Sequence, residues 1–87
     1  MIKEAEIAIV GAVTRALQLL EKNPEMFSEE IIQEVMSSVQ AQPDAKIYAI
    51  ASVNNAIKLK RHDLSLGNKQ IVQQSVSDYR KFISETS

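Results

Sequence analysis

Lys46-Ile47-Tyr48-Ala49-Ile50-Ala51-Ser52-Val53-Asn54-Asn55-Ala56-Ile57 decides the fold class of this chain. Its apolar residues recur at three- and four-residue spacing, the interval that gathers side chains on one face of an α-helix, and the strict alternation of a half-buried strand is missing. On the amino-terminal side stands Gln42-Pro43-Asp44; proline cannot continue a preceding helix, and Asp44 can cap the one that follows. On the other side Lys58, Lys60, Arg61 and His62 bring positive charge to where a helix exposes its last carbonyls. The spacing predicts a helix ending near Lys60 to His62, with an inward stripe of Ile47, Ile50, Val53, Asn54 and Ile57.

The same period extends through the rest of the chain. Upstream, a helix is expected from about Lys3 to Lys22, with Ile2, Ile9, Val13, Ala16 and Leu20 on one stripe. Val10 and Leu17 widen the stripe on one side, Ala12 and Leu19 on the other, a width that suits two neighbours. Ile7 falls on the polar side of this helix as an isolated exposed apolar residue, and Asn23-Pro24 ends it. Ser28 is the expected N-cap of a second helix, with Glu29 and Glu30 in its first turn and Ile31, Ile32, Val35, Met36 and Val39 inward. After a linker from Asp63 to Asn68, a fourth helix lines up Ile71, Val72, Val76, Tyr79, Phe82 and Ile83, leaving Gln73, Gln74, Ser77 and Arg80 for water. No repeat, low-complexity tract or Gly/Ser linker is read in the chain. The short connections favour antiparallel neighbours, so the expected fold is all-α, an antiparallel four-helix bundle forming one domain over residues 1–87.

Composition narrows the classes of function. With 87 residues, 45% hydrophobic and 24% charged, the chain has an ordinary globular balance and room for one core. It contains no cysteine, and small extracellular domains usually need disulfides, so a reducing, cytoplasmic setting is expected. The start, Met1-Ile2-Lys3-Glu4-Ala5-Glu6, and the longest apolar run, Ile7 to Val13, read as neither signal peptide nor membrane anchor. The formal net charge of -1 argues against binding nucleic acid, where affinity rests on neutralised phosphates. That sum hides an asymmetry: there are three positive and seven negative residues through Pro43, but seven positive and four negative from Asp44 onward.

No catalytic constellation emerges. A helical di-metal site needs Glu-x-x-His pairs on facing helices, and the single histidine, His62, has no glutamate three residues before it. No pair of carboxylates converges in an apolar setting, Gly11 and Gly67 belong to no phosphate-cradling pattern, and no serine sits in a nucleophile elbow. The expectation is a protein that is not an enzyme and that uses neither cofactor nor metal. Asn54 within the inward stripe is expected to be a structural polar residue of the core, hydrogen-bonded to a neighbouring helix or linker, the alternative being a partner-facing role at the edge of the bundle. Lys58, Lys60, Arg61 and His62 form a basic cluster beside Leu64 and Leu66. As a solvated helix end it needs no ligand; as a surface it would suit anionic lipid headgroups or an acidic protein. Leu64 and Leu66 are expected to plug the open end of the bundle.

The order of these elements resembles the immunity proteins of pediocin-like bacteriocins, small four-helix bundles that protect a producing cell from its own membrane-permeabilising peptide. The similarity extends in pattern from Ile9 to Phe82 and is clearest in Lys46 to Ile57, the polar linker after it, Leu64-Ser65-Leu66 and the last amphipathic helix. The chain differs from many relatives in its short linker and in the few residues, Ser84 to Ser87, after the last helix. What the resemblance implies is binding from the cytoplasmic side to the mannose phosphotransferase membrane components that serve as bacteriocin receptor, with possible peripheral membrane contact. The carboxy-terminal half would set recognition, and Lys58, Lys60, Arg61, His62, Leu64 and Leu66 would be its partner-binding residues. The alternative is a generic protein-protein interaction or regulatory module; a DNA-binding helix-turn-helix is disfavoured by the low charge and by the lack of a recognition helix.

Overall fold

A computed structural model describes the backbone of residues 2–86 and the side chains of residues 4–85. It consists of four helices, α1 (Ile2–Lys22), α2 (Ser28–Met36), α3 (Pro43–His62) and α4 (Asn68–Thr86), and the fold is all-α. The inward role expected of Ile2 concerns a side chain outside the described residues. α1 stops where Asn23 donates its amide to the Leu19 carbonyl at 2.8 Å and proline follows. The cap of α2 is Phe27 rather than Ser28: its backbone is extended, and its amide donates to Glu30 Oε1 at 3.2 Å. α3 begins with Pro43 in its first turn and Gln42 as cap, two residues ahead of the expected Asp44. Proline suits that place because the first amides of a helix lack partners in any case. The Gln42 amide finds its acceptor on another helix, Glu4 Oε1 at 3.0 Å.

Side-chain contacts give the directions. Glu4 near the start of α1 meets Gln42 at the start of α3, and Arg61 at the end of α3 reaches Met26 and Ser28 just beyond the end of α1. The two helices therefore run parallel. Glu6 of α1 pairs with Arg80 near the end of α4, and Tyr48 early in α3 packs edge-on against Tyr79 and Phe82 of α4, so α4 runs antiparallel to both. α1 packs most extensively against α3, whereas among the described residues the backbones of α2 and α4 do not approach each other closely. The cross-section is a flattened rhombus, in keeping with principal extents of 37 × 26 × 16 Å.

The short diagonal has a cause in the sequence. The buried faces of α1 and α3 are rich in alanine, with Ala5, Ala12 and Ala16 on one and Ala45, Ala49 and Ala56 on the other. Small side chains let two helix axes approach, and Ile9, Val13, Leu17, Val53 and Ile57 fill the space between them. This arrangement overturns part of the stripe expected for α3. The core takes Ala45, Ala49, Val53, Ala56 and Ile57, while Ile47 and Ile50 face outward at 62% and 39% exposure. Turning the isoleucine stripe inward would have wedged large side chains between helices that the alanines hold close. Asn54 rotates out with the isoleucines and is half-buried, so it is no interior amide. In α1, Val10 faces outward at 40% and Ile7, as expected, at 65%.

A tandem repeat, absent from the sequence reading above, organises these features. Moving forty residues along the chain carries Ala5, Val13, Ala16, Leu19 and Ile31 onto Ala45, Val53, Ala56, Leu59 and Ile71. The backbone follows: Met26 N to Asn23 O and Leu66 N to Asp63 O close the two loops at 3.0 and 3.2 Å. The amides of Phe27 and Gly67 donate to Glu30 and Gln70 side chains at the same place in α2 and α4. The bundle is thus two helical hairpins, α1–α2 and α3–α4, related by a pseudo-twofold axis along the parallel pair. α4 runs on where α2 stops, and the added turns carry Tyr79, Phe82 and Ile83 over the first half of α3.

Candidate functional site

Because α1 and α3 are parallel, the loops of both hairpins lie at one end of the bundle, and the basic cluster sits there. The structure divides the six sequence-expected residues into two groups. Lys60 donates its Nζ to the Leu66 carbonyl at 2.6 Å, closing its own loop. The Arg61 guanidinium donates to the Met26 carbonyl and to Ser28 Oγ, fastening the second hairpin to the first. Leu66 is half-buried against the core. These three serve the fold. Lys58, His62 and Leu64 face water, and Leu64, at 78%, is the most exposed large apolar side chain among the described residues. Leu66 therefore plugs the bundle end and Leu64 does not; the turn that Asp63 closes lifts Leu64 away from the core.

Asp63 accepts from the Ser65 hydroxyl at 2.5 Å and from its amide at 3.0 Å. The Ser65 hydroxyl above all, then the Ser65 amide, holds its carboxyl below the usual 3.8, and His62 and Lys60 add smaller attractions. The loop thus keeps a carboxylate beside the cations, which tempers the positive end. What remains is one exposed apolar side chain, Leu64, two residues beyond His62 and the end of α3, on a hairpin whose formal charge is positive.

A second feature was not expected. α3 and α4 enclose a groove of about 380 Å³, lined among others by Ile47, Tyr48, Ala51, Asn55, Tyr79 and Phe82. Sequence reasoning missed it by turning Ile47 inward. The repeat was the signal available: Ile47 occupies the place of Ile7, which was correctly read as outward. At the opposite end from the loops, a recess of about 570 Å³ lies between Glu4, Gln42, Asp44, Tyr48 and Tyr79. One of its carboxylates is engaged in capping α3. Burial, with smaller contributions from Tyr48 and Glu6, pushes the Tyr79 phenol above its usual 10.0, so it stays protonated near neutrality and supplies no base.

Among the described residues no group of three His, Asp or Glu side chains could hold a metal ion. Among the described residues no helix is long and apolar enough to cross a membrane. Comparison with protein-family models, curated proteins and solved structures gave no match.

Proposed function

We propose that this chain acts by binding rather than by catalysis, as a bacteriocin immunity protein that engages the receptor complex at the cytoplasmic face of the membrane. The reading rests on the resemblance to the pediocin-like immunity family, in which the second half sets recognition. The observation that supports it is the exposed Leu64 at the tip of the second hairpin, in the loop that follows the exposed Lys58 and His62 at the end of α3. An exposed apolar side chain on a positively charged hairpin suits a protein or headgroup surface that carries negative charge beside an apolar centre. Lys60, Arg61 and Leu66 belong to this proposal as the residues that hold the tip in shape. The mannose phosphotransferase membrane components are the partner the resemblance implies.

The test is direct binding. Tagged chain is passed through detergent-solubilised membranes that contain those components, with and without a pediocin-like peptide. The proposal expects recovery of the membrane components with peptide present, and its loss in Leu64→Asp and His62→Glu, whose helicity is unchanged. Equal recovery by wild type and both variants would remove the tip from the proposal. A second reading, a helix-docking module unconnected with bacteriocins, is favoured by the apolar groove between α3 and α4. Its mark is a stable complex formed without any peptide.

A further inference from the structure

Outward on α3 runs a stripe at alternating three- and four-residue steps: Asp44, Ile47, Ala51, Asn54 and Lys58. Asn54 is half-buried and the other four are exposed. This is the spacing that two helices use when they pack along a seam. Among the described residues no element covers its four exposed members, and it borders both Ile50 and the groove lined by Phe82. The stripe is also self-complementary. Set antiparallel to a second copy of itself about Ala51, it brings Ala51 against Ala51, where small side chains permit close approach. Asp44 of each copy then lies opposite Lys58 of the other, so both ends pair opposite charges. We propose that the α3 face is a docking surface for a second copy of this chain, forming a twofold dimer with antiparallel α3 helices and Ala51 at the axis.

The pseudo-equivalent stripe on α1 explains why assembly stops at two. Forty residues earlier the same positions read Glu4, Ile7, Gly11, Thr14 and Gln18. Ile7 and Ile47 are exposed to nearly the same degree, 65% and 62%, but Gln18 stands where Lys58 does. An antiparallel copy would set each Glu4 against an uncharged amide, and Gly11 contributes no side chain at the centre. The α3 face alone has paired ends and the flanking apolar groove. Size permits the pairing: a broad side of 37 × 26 Å accommodates the roughly 800 Å² per partner that specific interfaces bury. A closed twofold contact uses one patch on both copies and leaves nothing to propagate.

The claim does not depend on the bacteriocin reading, and its test needs only the purified full chain. Sedimentation equilibrium from micromolar to millimolar concentration should show monomer passing to dimer and no larger species. Ala51→Glu, which sets like charges face to face and suits an exposed helical site, should weaken the dimer at least ~10-fold. Gly11→Glu should leave it unchanged. Lys58→Glu should weaken it and Asp44→Lys with Lys58→Glu should restore it, helicity being followed throughout by circular dichroism. Since the chain has no cysteine, Ala51→Cys offers a second measurement: it should oxidise to a covalent dimer much faster than Gly11→Cys. Wild type that stays monomeric at millimolar concentration, or equal behaviour of the variants at positions 11 and 51, would overturn the proposal.

Discussion

Glu21 and Arg61 hold the same position in the two hairpins, forty residues apart, and each reaches across to the start of the other hairpin's second helix. Asn68 donates its side-chain amide to Glu21, and Arg61 donates to Ser28 and to the Met26 carbonyl just before it. Ser28 and Asn68 are themselves forty residues apart. The loop end of the bundle is therefore laced in both directions by one pair of positions used twice. Arg61→Ala should lower the melting temperature measurably, and Lys58→Ala, at an exposed position one turn earlier, should leave it nearly unchanged.

The rotation of α3 separates two isoleucines that the spacing had placed together. Ile57 is fully buried, and truncation to alanine should cost about 2–5 kcal/mol, the usual range for a buried branched side chain. Ile47→Ala at 62% exposure should change the stability of the monomer by no more than ~0.5 kcal/mol. Denaturant titration of both variants, at concentrations too low for association, would check the assignment. Comparable losses would mean that α3 is turned the other way.

The alanine-lined approach of α1 and α3 makes a complementary prediction. Ala56 is fully buried on α3, and a leucine there must push apart two close helices. Ala56→Leu should destabilise by about 1–3 kcal/mol although it adds apolar volume. A gain in melting temperature would show that space is available where the alanines are taken to close it.

Tyr79 links stability to alkaline pH. Burial raises its folded-state pKa above 10.0, so the phenol is protonated in both states below that value and its contribution is fully present there. Above pH 10 the unfolded chain loses the proton first, and stability falls as pH rises toward the folded value. Thermal unfolding between pH 9 and 11 should show a steeper loss in wild type than in Tyr79→Phe. Identical slopes would place the phenol in water.

Much of the fold was legible because helix period and breakers are local properties. Pro24 and Pro43 mark two of the ends, and Ile9, Val13, Ala16, Ile31, Val35 and Ile71 lie inward as their spacing requires. Local reasoning failed where α3 carries apolar residues on two adjacent stripes, since hydrophobicity alone prefers the isoleucines. The choice was made by a tertiary fact, the alanines of α1 across the diagonal. The repeat would have supplied it, but the resemblance between halves lies in size and cap chemistry more than in identity: Glu30 answers Gln70, Met26 answers Leu66, and Val35 answers Ser75. Ser75 satisfies its buried hydroxyl by donating to the Ile71 carbonyl at 2.9 Å, and so fits where valine does.

At the candidate site, charge was legible and availability was not. Lys58, Lys60, Arg61 and His62 look alike in sequence, yet two of them are engaged in loop closure because their carbonyl acceptors come from the turns that follow α1 and α3. A charge-reversal experiment on all of them would therefore mix loss of binding with loss of fold. Leu64→Asp and His62→Glu separate the two effects.

The most direct measurement of the central claim is survival of a bacteriocin-sensitive strain that expresses this chain, challenged with a panel of pediocin-like peptides beside an empty-vector control. The account predicts selective protection against one or a few peptides, retained by Ile47→Ala and lost in Leu64→Asp. Uniform killing across the panel, with the chain shown to be folded and expressed, would contradict it.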